Sequence, residues 1–396
     1  MLLYKKSYMV KIKALLLSLF VSWVTASGMD LSGVSNVAIP SDSVRNEGIV
    51  NKVVRYFRES NERKIGKKID FSIIGGPHYS SDTKLGLGLV AAGLYRTNLA
   101  DSLITPSNLS IYADISSVGF ALIGVKGYHI FPSDLYRINY TVYFYSFPSK
   151  FWGIGYAEGL EDSNETKYKR LQAKIETDFM FKLAPSLYAG PAAEFIFVNG
   201  KHVQDHSYLW RGEDMRVKTY GLGFTISYDT RDNISNAYKG VFLSLEQRFY
   251  PRFLFNDYAF SKTELTANTY HRVWKGGIIA AQLHGEVTYG NTPWSMLAQI
   301  GGSESMRGYY EGRYRDKSEI DMTVELRQHV WHRNGVVAWV GAGTVFPKFS
   351  DIRFNHILPN FGIGYRWEFK NRVNVRLDYG FGRGQSGFVF NINEAF

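Results

Sequence analysis

Apolar and polar positions alternate with a period of two along the last third of the chain. In 371–382, Val373, Val375, Leu377, Tyr379 and Phe381 fall on one face, and Arg372, Asn374, Arg376, Asp378 and Gly380 on the other. In 359–369, Phe361, Ile363, Tyr365, Trp367 and Phe369 oppose Asn360, Gly362, Gly364, Arg366 and Glu368. The same scheme in 220–229 sets Tyr220, Leu222, Phe224, Ile226 and Tyr228 against Gly221, Gly223, Thr225, Ser227 and Asp229. Such segments are strands with one apolar and one polar face. Before Ile69 the pattern differs: Ile49, Val50, Val53, Val54 and Phe57 recur at helical spacing, which predicts a short amphipathic helix followed by a basic linker.

A soluble sandwich buries its apolar faces together. A membrane barrel turns them to lipid and keeps the polar faces for a lumen. Alternation alone does not separate the two. Aromatic residues make up 16% of the chain, with 27 Tyr and 27 Phe, and this load suits the aromatic girdles of a barrel. The N-terminus reads as an export signal, with Lys5, Lys6, Lys11 and Lys13 ahead of the apolar run Ala14–Val24 and small residues for cleavage after Ala26. The run is too short to span a bilayer as a helix. Connectors alternate between short (184–186, 275–276, 332–335, 370–372) and long (148–165, 199–215, 291–318, 347–357), as turns and external loops of a barrel do. The expected fold is all-β: a 16-stranded antiparallel transmembrane β-barrel. The expected division is a signal peptide at 1–26, a periplasmic segment with a short helix at 27–68, and the barrel at 69–396.

The net charge of +10 is scattered along the strands, which predicts a lumen and rim of mixed charge and no nucleic-acid partner. The absence of cysteine excludes disulfides, thiolate metal sites and cysteine nucleophiles. No Gly-x-Ser-x-Gly, His-Glu-x-x-His or phosphate-loop pattern occurs, so neither catalysis nor a cofactor is expected. His202 and His206 stand four apart in a long connector, a spacing that chance supplies readily.

The segment 301–316, GGSESMRGYYEGRYRD, packs three arginines, four glycines and three tyrosines into a connector after the eleventh strand. A guanidinium in a partly desolvated lumen needs a carboxylate acceptor. Thr323, Glu325 and Arg327 lie on the inward face of the next strand, and Glu368 and Asp378 on the inward faces of later ones. Gly308 allows a tight turn beside Arg307, and Tyr309 and Tyr310 can wedge against the wall. The loop is therefore expected to fold into the lumen as a latch.

Three segments in order carry a family resemblance. MRGYYEGRYRD (306–316) resembles the arginine-glycine-aromatic motif in the sixth external loop of the surface-antigen outer-membrane barrel superfamily, the BamA/TamA-like barrels. YDTRDNISNAYKGVFLSLE (228–246) resembles its Asp-Thr-Arg-Asp turn, and VRLDYGFG with the ending FNINEAF resembles its final strands. The resemblance implies that Arg307, Gly308 and Tyr309 form the latch, that Glu325 and Asp378 are its wall partners, and that Asp229, Arg231 and Asp232 form the turn motif. It also implies that Phe396, on an alternating terminal strand, is an outer-membrane targeting signal. Two departures follow. Gly341 stands where the superfamily often carries an inward aspartate, so the latch is expected to be weaker or to rest on Glu325 alone. The 42 residues of 27–68 are too few for a periplasmic POTRA domain, since a domain needs at least about 50 residues; a short member without POTRA domains is expected.

In such barrels a weak seam between the first and last strands is tied to client insertion. Here Gly75, Gly76 and Pro77 sit near the end of the first strand, where proline removes a ladder donor and glycine weakens pairing. The plainer reading is that Pro77 starts the first external turn. The resemblance implies a barrel in the outer membrane of a Gram-negative bacterium that assists insertion or translocation of polypeptides. Its partners would be outer-membrane lipids, unfolded outer-membrane protein clients and a separate periplasmic protein. The alternative is a channel or structural barrel without assembly activity.

Overall fold

The computed structural model describes residues 69–80, 83–95, 107–204 and 206–396. The signal peptide, the amphipathic pattern at 49–57 and the basic linker lie outside them. The barrel strands are β1 (Ile69–Ser80), β2 (Lys84–Tyr95), β3 (Ser107–Ser116), β4 (Ala121–Ile130), β5 (Tyr136–Phe151), β6 (Thr166–Ala184), β7 (Leu187–Lys201), β8 (Arg216–Asp229), β9 (Gly240–Tyr250), β10 (Phe260–Trp274) and β11 (Gly277–Gly290), then β14 (Ser318–Trp331), β15 (Asn334–Phe346), β16 (Leu358–Lys370), β17 (Val373–Gly382) and β18 (Gln385–Ile392). Two short strands, β12 (Ala298–Ile300) and β13 (Tyr314–Asp316), pair with each other inside the long loop after β11.

All sixteen barrel strands form one sheet in sequence order, each antiparallel to its neighbour. Strands of one β-barrel satisfy every backbone amide without water, which lipid requires. Between β1 and β18 some Cα atoms approach within 8 Å. The short connectors 185–186, 275–276 and 371–372 share one mouth with the turn 230–239. The long connectors share the other with the 291–317 loop. Among the described residues no helix is long and apolar enough to cross a membrane; the strands make the crossing.

The faces follow the alternation. In β17, Asn374, Arg376, Asp378 and Gly380 are buried while Tyr379 and Phe381 are exposed. In β16, Phe361 and Ile363 are exposed and Asn360, Gly362 and Arg366 buried. Polar inside and apolar outside is the order a lipid solvent selects.

The external ends of several strands reverse this order. Lys167 and Lys169 of β6, and Arg216 and Lys218 of β8, point outward, while Tyr168 and Val217 point in. These inward side chains join Phe151, Ile196, Val198, Leu209, Trp210, Tyr250, Trp294 and Met296 in an apolar core. Phe151 stacks on Trp210 with centroids 4.2 Å apart. An entirely mixed-charge lumen, as the sequence suggested, is therefore corrected at this end: the strands outrun the bilayer, and folded-in connectors give their inner faces something apolar to pack against.

Ile363 is 66% exposed midway along β16. Ile363→Arg should cost about 2–4 kcal/mol of bilayer stability, as lipid-facing cations do near the midplane. Equilibrium unfolding from liposomes measures it.

Candidate functional site

The loop between β11 and β14 does not wave in solvent. It returns into the barrel, and its arginines each find a different environment. Arg307 is 0% exposed. Its Nη1 donates to Asp378 Oδ2 at 2.6 Å, and its Nη2 donates to Glu325 Oε2. The guanidinium carbon lies 3.8 Å from the ring centroid of Trp339 on β15. Two carboxylates and an aromatic face thus replace the water a buried guanidinium gives up.

The pair belongs to a closed ring. Glu325 Oε1 accepts from Arg327 Nε at 2.6 Å. Arg327 Nε lies 3.8 Å from Glu394 Oε2. Glu394 Oε2 also accepts from Arg366 Nε at 2.8 Å, and Arg366 Nη1 donates to Asp378 Oδ1 at 2.5 Å. Asp378 returns to Arg307. Arg376 adds a fourth cation, 3.4 Å from Asp378 Oδ2. Each acid touches at least two cations, so no charge in the ring stands alone in the low-dielectric interior.

Gly308 adopts φ +108, and a Cβ there would collide with the backbone of Gly380 on β17. A Cβ on Gly380 would in turn strike the Arg307 carbonyl. The two glycines let the loop backbone lie directly on the wall, which brings Arg307 to its acceptors. Tyr309 is buried; its hydroxyl donates to the Pro359 carbonyl at 2.7 Å and accepts from the Arg383 amide at 2.7 Å. Burial pushes its phenol up to about 12, so it remains a donor at physiological pH. Asn360 Nδ2 donates to the Arg307 carbonyl at 2.5 Å, and Trp339 Nε1 donates to Asn360 Oδ1 at 2.8 Å.

The loop also reaches the opposite wall. The Lys150 amide of β5 donates to the Tyr310 hydroxyl at 3.0 Å. Arg313 Nε donates to the Gly159 carbonyl at 2.8 Å. Arg315 sits over the Phe151 ring, 4.7 Å from its centroid.

Gly341, expected to weaken the latch to Glu325 alone, does not: Asp378 supplies the second carboxylate, from β17. A Cβ at Gly341 would press on the Met322 carbonyl at 2.7 Å, and Trp339 on the same strand contributes a ring in place of a charge.

The turn residues lie elsewhere. Arg231 grips Asp229 through Nε at 2.9 Å and Nη2 at 2.8 Å. Asp232 Oδ1 accepts from the Tyr238 amide at 2.8 Å, and Oδ2 from Arg372 Nη2 at 2.8 Å. The β8–β9 turn is thereby tied to the β16–β17 turn. Phe396 is not on a strand, contrary to expectation. β18 ends at Ile392, Asn393 takes φ +71, and the chain turns inward. The Glu394 carboxylate draws the tail into the ring, and Phe396 packs beside Tyr270 and near Arg327. Pro77 is also not at a turn: β1 continues to Ser80, and Pro77 is opposite Leu87 of β2.

A family model, the Omp85 superfamily domain, matches residues 129–396. The chain belongs to the Omp85 superfamily. It is an outer-membrane β-barrel protein; β1 to β3 and nearly all of β4 precede the matched region. Among solved structures it is similar to BamA from Haemophilus ducreyi lacking POTRA domains 1–3, at 11% identity and TM-score 0.54, covering 81% of this chain and 70% of that one. It is also similar to CdiB from Acinetobacter baumannii, at 12% identity and TM-score 0.52, covering 83% and 60%. CdiB from Escherichia coli gives 10% identity and TM-score 0.52, with 82% and 63% covered. The chain thus spans less than two thirds of the CdiB chains. No curated protein matches it in sequence.

Trp339, Asn360, Arg366, Arg376 and Glu394 are the members of this site that sequence reasoning missed. Inward position on alternating strands was the available signal for the first four.

Arg307→Ala leaves Glu325 and Asp378 short of a cation and should destabilise the barrel by about 3–5 kcal/mol, the usual cost of breaking a buried pair. The loss of heat-resistant electrophoretic mobility at a lower temperature measures it. Gly308→Ala should release the loop from Gly380, read as faster tryptic cleavage at Arg313.

Proposed function

We propose that this Omp85 barrel assists insertion or translocation of polypeptides at the outer membrane of a Gram-negative bacterium, with the Arg307 loop as a latch that holds the barrel in one state. The observation that carries the reading is the closed ion ring. It joins the loop through Arg307, three wall strands through Glu325, Arg366 and Asp378, and the tail of β18 through Glu394. A displacement of the loop is therefore felt at the end of the last strand.

The seam is the proposed place of exchange. β1 carries Gly75, Gly76 and Pro77 within its ladder to β2, and proline is compatible with an edge strand because it has no amide to donate. β18 is the shortest described barrel strand, at 8 residues. Two strands that pair weakly give an incoming segment backbone to add to. A separate periplasmic partner that supplies the domains this barrel lacks at 27–68 belongs to the same reading.

The test is insertion of an unfolded test barrel into liposomes, with and without the purified protein, scored by protease protection. Acceleration that disappears in a folded Arg307→Lys variant is the expected result, since lysine keeps charge but not the two-pronged geometry. A folded wild-type protein that gives no acceleration, alone or with periplasmic extract, overturns the proposal. Increased conductance of Arg307→Lys in planar bilayers would then identify a plugged channel.

A further inference from the structure

We infer that β11 and β14 carry a divalent-cation site of the zinc type on the lumen wall, made by His284 Nδ1, Glu319 and Asp321. His284 and Asp321 are direct partners across the two strands, and Glu319 lies two residues before Asp321 on the same inward face. His284 Nδ1 is 2.8 Å from Glu319 Oε1 and 3.3 Å from Asp321 Oδ2. One donor atom from each residue lies within 4.8 Å of the others. Donors at about 2.0–2.1 Å from a tetrahedral zinc ion lie about 3.3 Å apart; the His284–Asp321 separation matches this, and the His284–Glu319 pair would open by about 0.5 Å to admit the ion.

Two further observations point to an ion and away from a self-sufficient cluster. The Glu319 side chain is 1% exposed; its Oε1 faces His284 Nδ1, and its Oε2 has no hydrogen-bond partner. A protonated His284 would offer Nδ1–H to one oxygen of the pair it faces and leave Glu319 Oε2 without a donor. The other imidazole nitrogen, Nε2, lies 3.3 Å from Glu264 Oε1 on β10. A carboxylate that accepts from one ring nitrogen and frees the other for metal is the usual outer-shell arrangement of metal-bound histidine.

The neighbouring charges leave the position open to a cation. Glu286 stands directly across from Glu319, and like charges so placed repel. Lys262, the nearby ammonium, is engaged with Glu264 at 3.3 Å and Glu286 at 3.6 Å. Ser305 of the loop donates its hydroxyl to Asp321 Oδ1. His284 keeps 23% of its side chain exposed, which gives an ion a route from the lumen. Ser305 is two residues before Arg307, so the bound ion also strengthens the loop's attachment to β14.

The experiment is calorimetric titration of Zn2+ into chelator-treated full-length protein in detergent, with folding checked by heat-dependent mobility. One equivalent should bind saturably. His284→Gln and Glu319→Gln should weaken binding about 10–100-fold or more, and Glu264→Gln by about tenfold. His206→Gln, in the external loop, should leave the affinity unchanged. Wild-type protein should also turn Co2+ to the strong visible absorption of a four- or five-coordinate ion, a readout that does not depend on variants folding. No saturable Zn2+ binding by folded wild type, a Co2+ spectrum of the free aqueous ion, or equal affinity in folded His284→Gln and Glu319→Gln overturns the inference.

Discussion

A guanidinium removed from water must be answered within the protein, and the interior of this barrel is organised around one that is. Arg307 is completely buried, with a carboxylate on each of two nitrogens and an indole below its plane. Neither acid is reserved for it. Glu325 is shared with Arg327, and Asp378 with Arg366 and Arg376. Buried ion pairs add little net stability over well-packed apolar groups, because desolvation consumes most of the Coulombic gain. Their consequence is specificity. An apolar loop could slide over an apolar wall, whereas a ring of directed charges admits one register.

Close approach makes the ring reachable. The Arg307 carbonyl and Gly308 lie against Gly380 with no room for a Cβ on either side. Farther along, Tyr309 is held between the Pro359 carbonyl and the Arg383 amide. The aromatic core at the external end supports the other half of the loop, through Trp294, Met296 and the ring of Phe151 under Arg315. The loop is thus pinned by charge on one wall and by aromatic packing on the other, and its β12–β13 pair lies against β14 and β15.

The same economy governs the opposite mouth. Asp232 and Arg372 tie two turns that are far apart in sequence. The tail after β18 enters beside them, where the Glu394 amide meets the Ser235 carbonyl at 3.4 Å and its carboxylate closes the ring. One residue, Glu394, therefore connects the end of the last strand to the loop that enters from the other side. The proposed exchange at the seam draws its physical basis from this connection.

The sequence by itself determined the strands, their faces and the alternation of short and long connectors, because a period of two and a turn residue are local properties of the chain. It also limited the partners of Arg307 to inward acids, since alternation decides which side of the wall a residue is on. It did not determine which inward residues stand at the same height. That depends on sheet register accumulated over sixteen strands, and it is why Trp339, Asn360 and Arg366 went unrecognised and why Gly341 was given too much weight. Nor could alternation reveal that Asn393 turns the tail away from the strand path, taking Phe396 with it, or that the outer ends of β6 and β8 invert. Those outcomes were decided by tertiary structure: buried charge seeks its partners across the lumen, and strand ends beyond the bilayer answer to packing rather than to lipid.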